Sequence, residues 1–131
     1  MKGYKKISRT TKQKAVIVDV LKRTRTHPSA AEVYLLVRKK IPNVSLGTVY
    51  RNLELMSAEG RILKISCGPF SRYDGFTHAH SHFICEKCQK AFDIEPAIKT
   101  TFNKSRFERK MHFVVKRIDV EVRGLCKNCS M

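Results

Sequence analysis

The chain has 131 residues, with 27 Lys and Arg against 11 Asp and Glu, a formal net charge of +16. That length suits one compact domain or two small lobes. The charge implies a polyanionic partner, most simply nucleic acid, against the plainer reading of a merely soluble basic protein. No apolar run approaches membrane-spanning length and no signal-peptide core follows the basic N-terminus, so a cytoplasmic protein with reduced thiols and no membrane partner is expected.

In chain order, Ile17, Val20 and Leu21 fall at helical spacing inside "TKQKAVIVDVLKRT" and predict a first helix. A second helix is expected from "HPSAAEVYLLVRKK", where Ser29 and Glu32 form a capping box and Val33, Tyr34 and Val37 make the apolar stripe. Pro42 follows its end. A third helix fits "VSLGTVYRNLELMSAEG". Ser45 is its N-cap, Val44 staples onto Val49, and Gly60 ends it. Leu46, Val49, Leu53 and Met56 share one face; Gly47, Thr48 and Arg51 share the opposite one. Two helices, a break and a third helix with a polar outer face describe a helix-turn-helix, and "RILKIS" and "FSRYDG" around "CGP" add a hairpin wing.

Near residue 76 the character changes. "SHFI" and "KAFDI" predict short strands, and a helix is expected to open at Pro96 in "PAIKTTFNKSRFERK". "HFVVKRIDVEVRG" alternates, with Ile118, Val120 and Val122 against Asp119, Glu121 and Arg123, as a half-buried strand does. Residues 1–75 carry 16 basic and 5 acidic side chains and residues 76–131 carry 11 and 6, so the polyanion is expected on the first half.

Cys85 with Cys88 and Cys126 with Cys129 make two C-x2-C claws. Each aims two sulfurs at one ion, and together they complete a tetrahedral thiolate cage for structural Zn2+. A redox C-x-x-C needs only one pair. The remaining Cys67 reads as a small buried hydrophobe.

His80 and His82, two residues apart, face one side of a strand, with Asp74 before them and Asp93 after them. Imidazoles with carboxylates suit iron, manganese or zinc, although "HAHSH" also fits a solvated polar strand. His27 reads locally as a helix-entry residue. No H-E-x-x-H, phosphate-cradling glycine loop or zinc-deaminase signature is present, so the chain is expected not to be an enzyme. A metal-dependent hydrolase is the alternative from another class.

Taken together, "RTTKQK", "THPSAAEVY", "SLGTVYRNLELMSAEGRI", "RYD", "HSHFICEKC", "FDIE" and "GLCKNC" resemble the ferric uptake regulator (Fur) family of bacterial metal-responsive repressors, in order and over nearly the whole chain. The resemblance implies an α+β protein, with a winged helix-turn-helix DNA-binding domain over 1–76 and a small metal-binding dimerisation domain with structural zinc over 77–131. It implies zinc on the four paired cysteines and a regulatory Fe2+ or Mn2+ on His27, Asp74, His80, His82 and Asp93. It also implies a homodimer on double-stranded DNA bearing an inverted repeat. Lys14, Thr48, Tyr50 and Arg51 are the candidate DNA contacts, Arg51 either reading guanine or clamping a phosphate.

Aspartates at both acidic positions resemble the peroxide-sensing PerR branch, which makes His27 and His80 oxidation candidates. An iron- or manganese-responsive uptake repressor is the alternative within the family. A further metal site of several relatives is expected to be absent, because its positions are Ala79, Ser81, Thr101 and Ile118. Gln89 replaces the glycine usual after the second cysteine, and His78 is an additional imidazole able to compete for metal.

Overall fold

The computed structural model describes residues 8–78 and 80–131. The first half holds α1 (Arg9–Arg23), α2 (Ala30–Arg38), α3 (Leu46–Ala58), β1 (Leu63–Cys67) and β2 (Phe70–Asp74). The second holds β3 (Ser81–Cys85), β4 (Ala91–Ile94), α4 (Lys104–Met111) and β5 (Glu121–Gly124).

The helix starts follow from their caps. The hydroxyls of Ser8, Ser29 and Ser45 accept the N–H of Thr11, Glu32 and Thr48. In α2 the Ser29 hydroxyl also donates to the Glu32 carboxylate at 3.2 Å, a variant of the expected box. Gly60, at φ +74°, ends α3 in a Schellman motif: its N–H reaches Ser57 O, and that of Arg61 reaches Met56 O. Ile17, Val20, Leu21, Val33, Val37, Val44, Val49, Leu53, Met56, Ile62 and Tyr73 form one core, which contains both staple residues. Leu46, expected on the apolar face, is instead 47% exposed at the first residue of α3.

β1 and β2 pair antiparallel as the wing, from Leu63↔Asp74 to Cys67↔Phe70. The second sheet has the order β4-β3-β5, with β3 antiparallel to β4 and parallel to β5. Wing and second sheet share a small core of Ile65 and Cys67 from β1, Ile84 from β3 and Ala91 from β4. Cys67 is fully buried in it, as a small hydrophobe.

Two elements differ from expectation. The helix expected at Pro96 begins only after Asn103, whose side chain accepts the Arg106 N–H and supplies the first capping group. Of the long alternating strand, only Glu121–Gly124 joins a ladder. Phe113, Val114 and Ile118 stay 54%, 80% and 47% exposed: α4 reaches this run through Phe107, packed edge-on against Phe113, and Glu108, but among the described residues no strand pairs with it.

Candidate metal centres and DNA-facing surface

Parallel pairing of β3 with β5 places Cys85 opposite Gly124 and so brings the two cysteine claws to one end of the sheet. The four sulfurs lie within 4.8 Å of one another. A tetrahedral zinc thiolate with bonds of about 2.3 Å has S···S edges of about 3.8 Å, and Cys88 Sγ and Cys126 Sγ are 3.9 Å apart. Backbone N–H groups of Cys88 and Cys126 point at Cys85 Sγ and pull that thiol down to about 6. The neighbouring Cys126 thiol pushes Cys129 up to about 12. This mixture of thiolate and reluctant thiol is what a dication resolves by accepting all four sulfurs, so the residues fit zinc.

The second cluster lies where the two halves meet. His82 pairs directly with Asp93 across β3 and β4, His80 lies just before β3, and Asp74 ends β2. His27 precedes α2 in the left-handed region at φ +53°, uncommon for a non-glycine residue, and this conformation turns its ring toward the second sheet. The Nε2 atoms of His27, His80 and His82 lie 3.3, 2.9 and 3.2 Å from Asp74 Oδ2. The same three atoms lie 2.7, 3.3 and 3.4 Å from Asp93 Oδ1. Asp93 is the exposed member, its side chain 31% accessible; the other four are buried.

The opposite ring nitrogens are occupied. His27 Nδ1 bonds Ala91 O at 3.0 Å and His80 Nδ1 bonds His78 O at 2.7 Å, which leaves both Nε2 atoms for the centre. Asp74 Oδ1 accepts the Phe76 N–H, which leaves Oδ2 for the same point. Burial alone would raise the Asp74 carboxyl, but the imidazoles of His27 and His82 outweigh it and hold the carboxyl well below the usual range. Burial alone would lower His27; Asp74 and Asp93 reverse that and raise it. His80 is raised against burial by the His78 carbonyl and Asp74. Three imidazoles and two carboxylates converge on one point, a donor set that fits a divalent ion of the iron or manganese type.

Sequence reasoning missed the groups that support this cluster. Arg72 Nε donates to Gln89 O at 2.7 Å and its Nη1 to His27 O at 3.0 Å, clasping the wing, the cysteine knuckle and the His27 loop. The available signal was its position two residues before Asp74, on the same face of a strand.

On the outer surface, Tyr50 is 51% exposed and Arg51 is exposed. Thr48 and Lys14 are half-buried. Arg51 Nη2 donates to Thr48 Oγ1 at 3.3 Å, folding the guanidinium back toward the start of α3.

A family model described as "Ferric uptake regulator family" matches residues 5–123. The chain belongs to the ferric uptake regulator family. It is 35% identical over 125 residues to the peroxide-responsive repressor PerR of Staphylococcus aureus strain USA300, covering 93% of this chain and 82% of that one. It superimposes on the crystal structure of the Campylobacter jejuni peroxide stress regulator with a TM-score of 0.73 and 29% identity, covering 92% of this chain and 90% of that one. The Helicobacter pylori ferric uptake regulator Fur, whose structure is described as revealing three functional metal-binding sites, gives a TM-score of 0.68 at 28% identity, with coverage of 92% and 81%. The protein is therefore a metal-dependent transcriptional regulator of the Fur family, a class that binds DNA and acts as dimers, and not an enzyme. Among the described residues no helix is long and apolar enough to cross a membrane.

Within this Fur-family chain the departures have local explanations. Gln89, in place of glycine, sits at φ +59°. Its side chain covers Gly68 of the wing turn so closely that a Cβ there would come 2.8 Å from Gln89 Nε2. His78 is exposed and pairs with Glu95 at 2.8 Å, while its ring lies 4.7 Å from that of His80. Of the positions of the further family site, Ala79 lies outside the described residues. Ser81 Oγ accepts the Ile98 N–H, Thr101 is exposed, and Ile118 is an exposed hydrophobe.

Proposed function

We infer that this regulator is a peroxide-sensing repressor. Residues 1–76 serve as its DNA-binding domain and residues 77–131 as its dimerisation domain. Cys85, Cys88, Cys126 and Cys129 hold structural zinc, and His27, Asp74, His80, His82 and Asp93 hold a regulatory Fe2+ or Mn2+. The observation that carries the reading is the convergence of His27, from the helical half, on carboxylates of the wing and the second sheet. A ligand set drawn from both halves favours the closed arrangement in proportion to its differential affinity. Closure in a homodimer sets the spacing of two recognition helices, which suits an inverted repeat in double-stranded DNA. Lys14, Thr48, Tyr50 and Arg51 face that DNA in this reading, in the bacterial cytoplasm.

Two aspartates in the cluster and the likeness to peroxide-responsive relatives favour peroxide as the signal. A ferrous ion held by these residues would cleave peroxide, and the ring that takes up one oxygen atom would give two electrons overall as the other oxygen leaves as water. His80, buried, and His27, strained and buried, are the rings placed to take up an oxygen atom. An oxidised ring binds metal poorly, so His27 no longer ties the halves together. The test is peptide mass spectrometry after brief peroxide treatment of the ferrous and manganous forms. Oxygen on His27 or His80 with iron alone is the expected result. Unmodified rings, with DNA binding that tracks free iron or manganese, would make the protein an uptake repressor instead.

A further inference from the structure

The packing of α1 against α3 leaves a cleft of about 380 Å³ on the DNA-facing side, lined by Arg9, Thr10, Gln13, Thr48, Arg51 and Asn52. Gln13 and Asn52 are 7% and 6% exposed, as buried as core residues, yet among the described residues neither side-chain amide has a hydrogen-bond partner. No polar side-chain atom sealed from solvent lacks a partner in the described structure, so these amides are open to the cleft they line. Amides that open only into this cleft present donors there, and an outside acceptor entering the cleft can take them in place of water.

The walls define that molecule. Arg9 and Arg51 contribute two cations, and no carboxylate is among the described lining residues. Arg9 and Thr10 belong to the first turn of α1 and Thr48 to the first turn of α3, so the positive ends of two helix dipoles meet here. Arg51 is already turned inward by its bond to Thr48 Oγ1, and its Nη1 lies 3.4 Å from where a Cβ on Gly47 would sit. The occupant is anionic, accepts several hydrogen bonds at once and reaches a surface cleft.

We propose that the α1–α3 cleft binds one backbone phosphate of duplex DNA, with the side-chain amides of Gln13 and Asn52 donating to its oxygens and Arg9 and Arg51 supplying the charge. The proposal rests on the DNA-binding reading and adds a site to it. It also assigns Arg51 to the phosphate rather than to a base. Gln13 and Asn52 thereby position the duplex without reading its sequence.

The test uses the zinc-loaded, manganese-loaded dimer and two labelled duplexes, one selected for tight binding from a random library and one scrambled. Gln13→Leu and Asn52→Leu, which replace each amide by an apolar group, should each weaken both duplexes by about 10-fold, the scale of a hydrogen bond to a charged acceptor. The log–log salt slope should not change, because a neutral amide releases no counterion, whereas Arg9→Ala should lower the slope by about 0.9. Melting temperature and zinc content guard against misfolding. A second measurement substitutes neutral methylphosphonates one at a time along the selected duplex. One position should weaken the wild type, and there alone Gln13→Leu should add less to the loss than it does on the unmodified duplex, because both changes act on one phosphate. A loss confined to the selected duplex would make these residues base readers, and unchanged affinity would make the cleft merely solvated. A loss with no matching methylphosphonate position would make the amides structural. Binding of inorganic phosphate that depends on Gln13, with duplex binding unaffected, would assign the cleft to the free anion. Each of those results overturns the proposal, whereas a wild type that binds neither duplex would instead sink the DNA-binding reading.

Discussion

Replacing Arg72 by methionine should weaken manganese binding at the hinge cluster while leaving the zinc cage loaded. The Arg72 side chain is only 13% exposed, and its guanidinium gives one hydrogen bond to Gln89 O in the cysteine knuckle and one to His27 O. A hydrogen bond from a charged donor nets about 1.5–3 kcal/mol. The bond to His27 holds a left-handed backbone at φ +53°, a conformation costing a non-glycine residue about 1–2 kcal/mol, with the ring turned toward Asp74 and Asp93. Methionine keeps the apolar stem and removes both bonds. Part of the loss destabilises the fold in every state, because Arg72 and His27 both belong to the helical half. The Gln89 bond crosses between the halves and belongs to the closed arrangement that binds metal. Assigning that bond alone to closure gives about 2 kcal/mol, or about a 30-fold weaker manganese affinity. The assay is electron paramagnetic resonance of free Mn2+ during titration of the zinc-loaded dimer, with melting temperature and zinc content in parallel. Arg72→Lys, a single point donor, should fall between the two. Unchanged manganese affinity in Arg72→Met, whatever happens to the melting temperature, would refute the clasp.

Cys126→Ser removes one claw tooth and should cost one zinc per chain and cooperative unfolding, read by metal analysis and calorimetry; a zinc-loaded folded variant would contradict the cage. His27→Ala should retain zinc and the dimer but lose about 5- to 150-fold of the metal-dependent gain in DNA affinity, the usual size of such coupling. Glu54 is held below its ordinary value of about 4.5 by Lys64 and the Tyr73 hydroxyl. Its contribution is therefore present above that value and lost as pH falls through the folded one, so Glu54→Gln should flatten the acid limb of the stability curve. An unchanged acid limb would show that solvent screens the half-exposed pair completely.

Much of the architecture is local and was legible from residue order. Ser29 and Ser45 cap because a hydroxyl reaches N–H groups three residues on, and Gly60 stops α3 because it adopts positive φ without strain. The claws are equally local, since two intervening residues suffice to aim two sulfurs at one ion. The hinge cluster is not local. His27 reaches Asp93 across 66 residues, and its ring points there because of a left-handed backbone, an Arg72 bond and the Ala91 carbonyl, none of which leaves a periodic trace. Family likeness alone had placed His27 with the other four. The buried amides of Gln13 and Asn52 were likewise invisible, because helical spacing says which face a residue occupies and not whether a neighbouring helix covers it or leaves a cleft. The alternating run before β5 shows the converse. Its pattern is that of a half-buried strand, yet burial needs a covering surface, and among the described residues only Glu121–Gly124 of the run pairs with a strand. Pattern fixes which groups seek burial or a ligand; only the packed chain decides which of them meet.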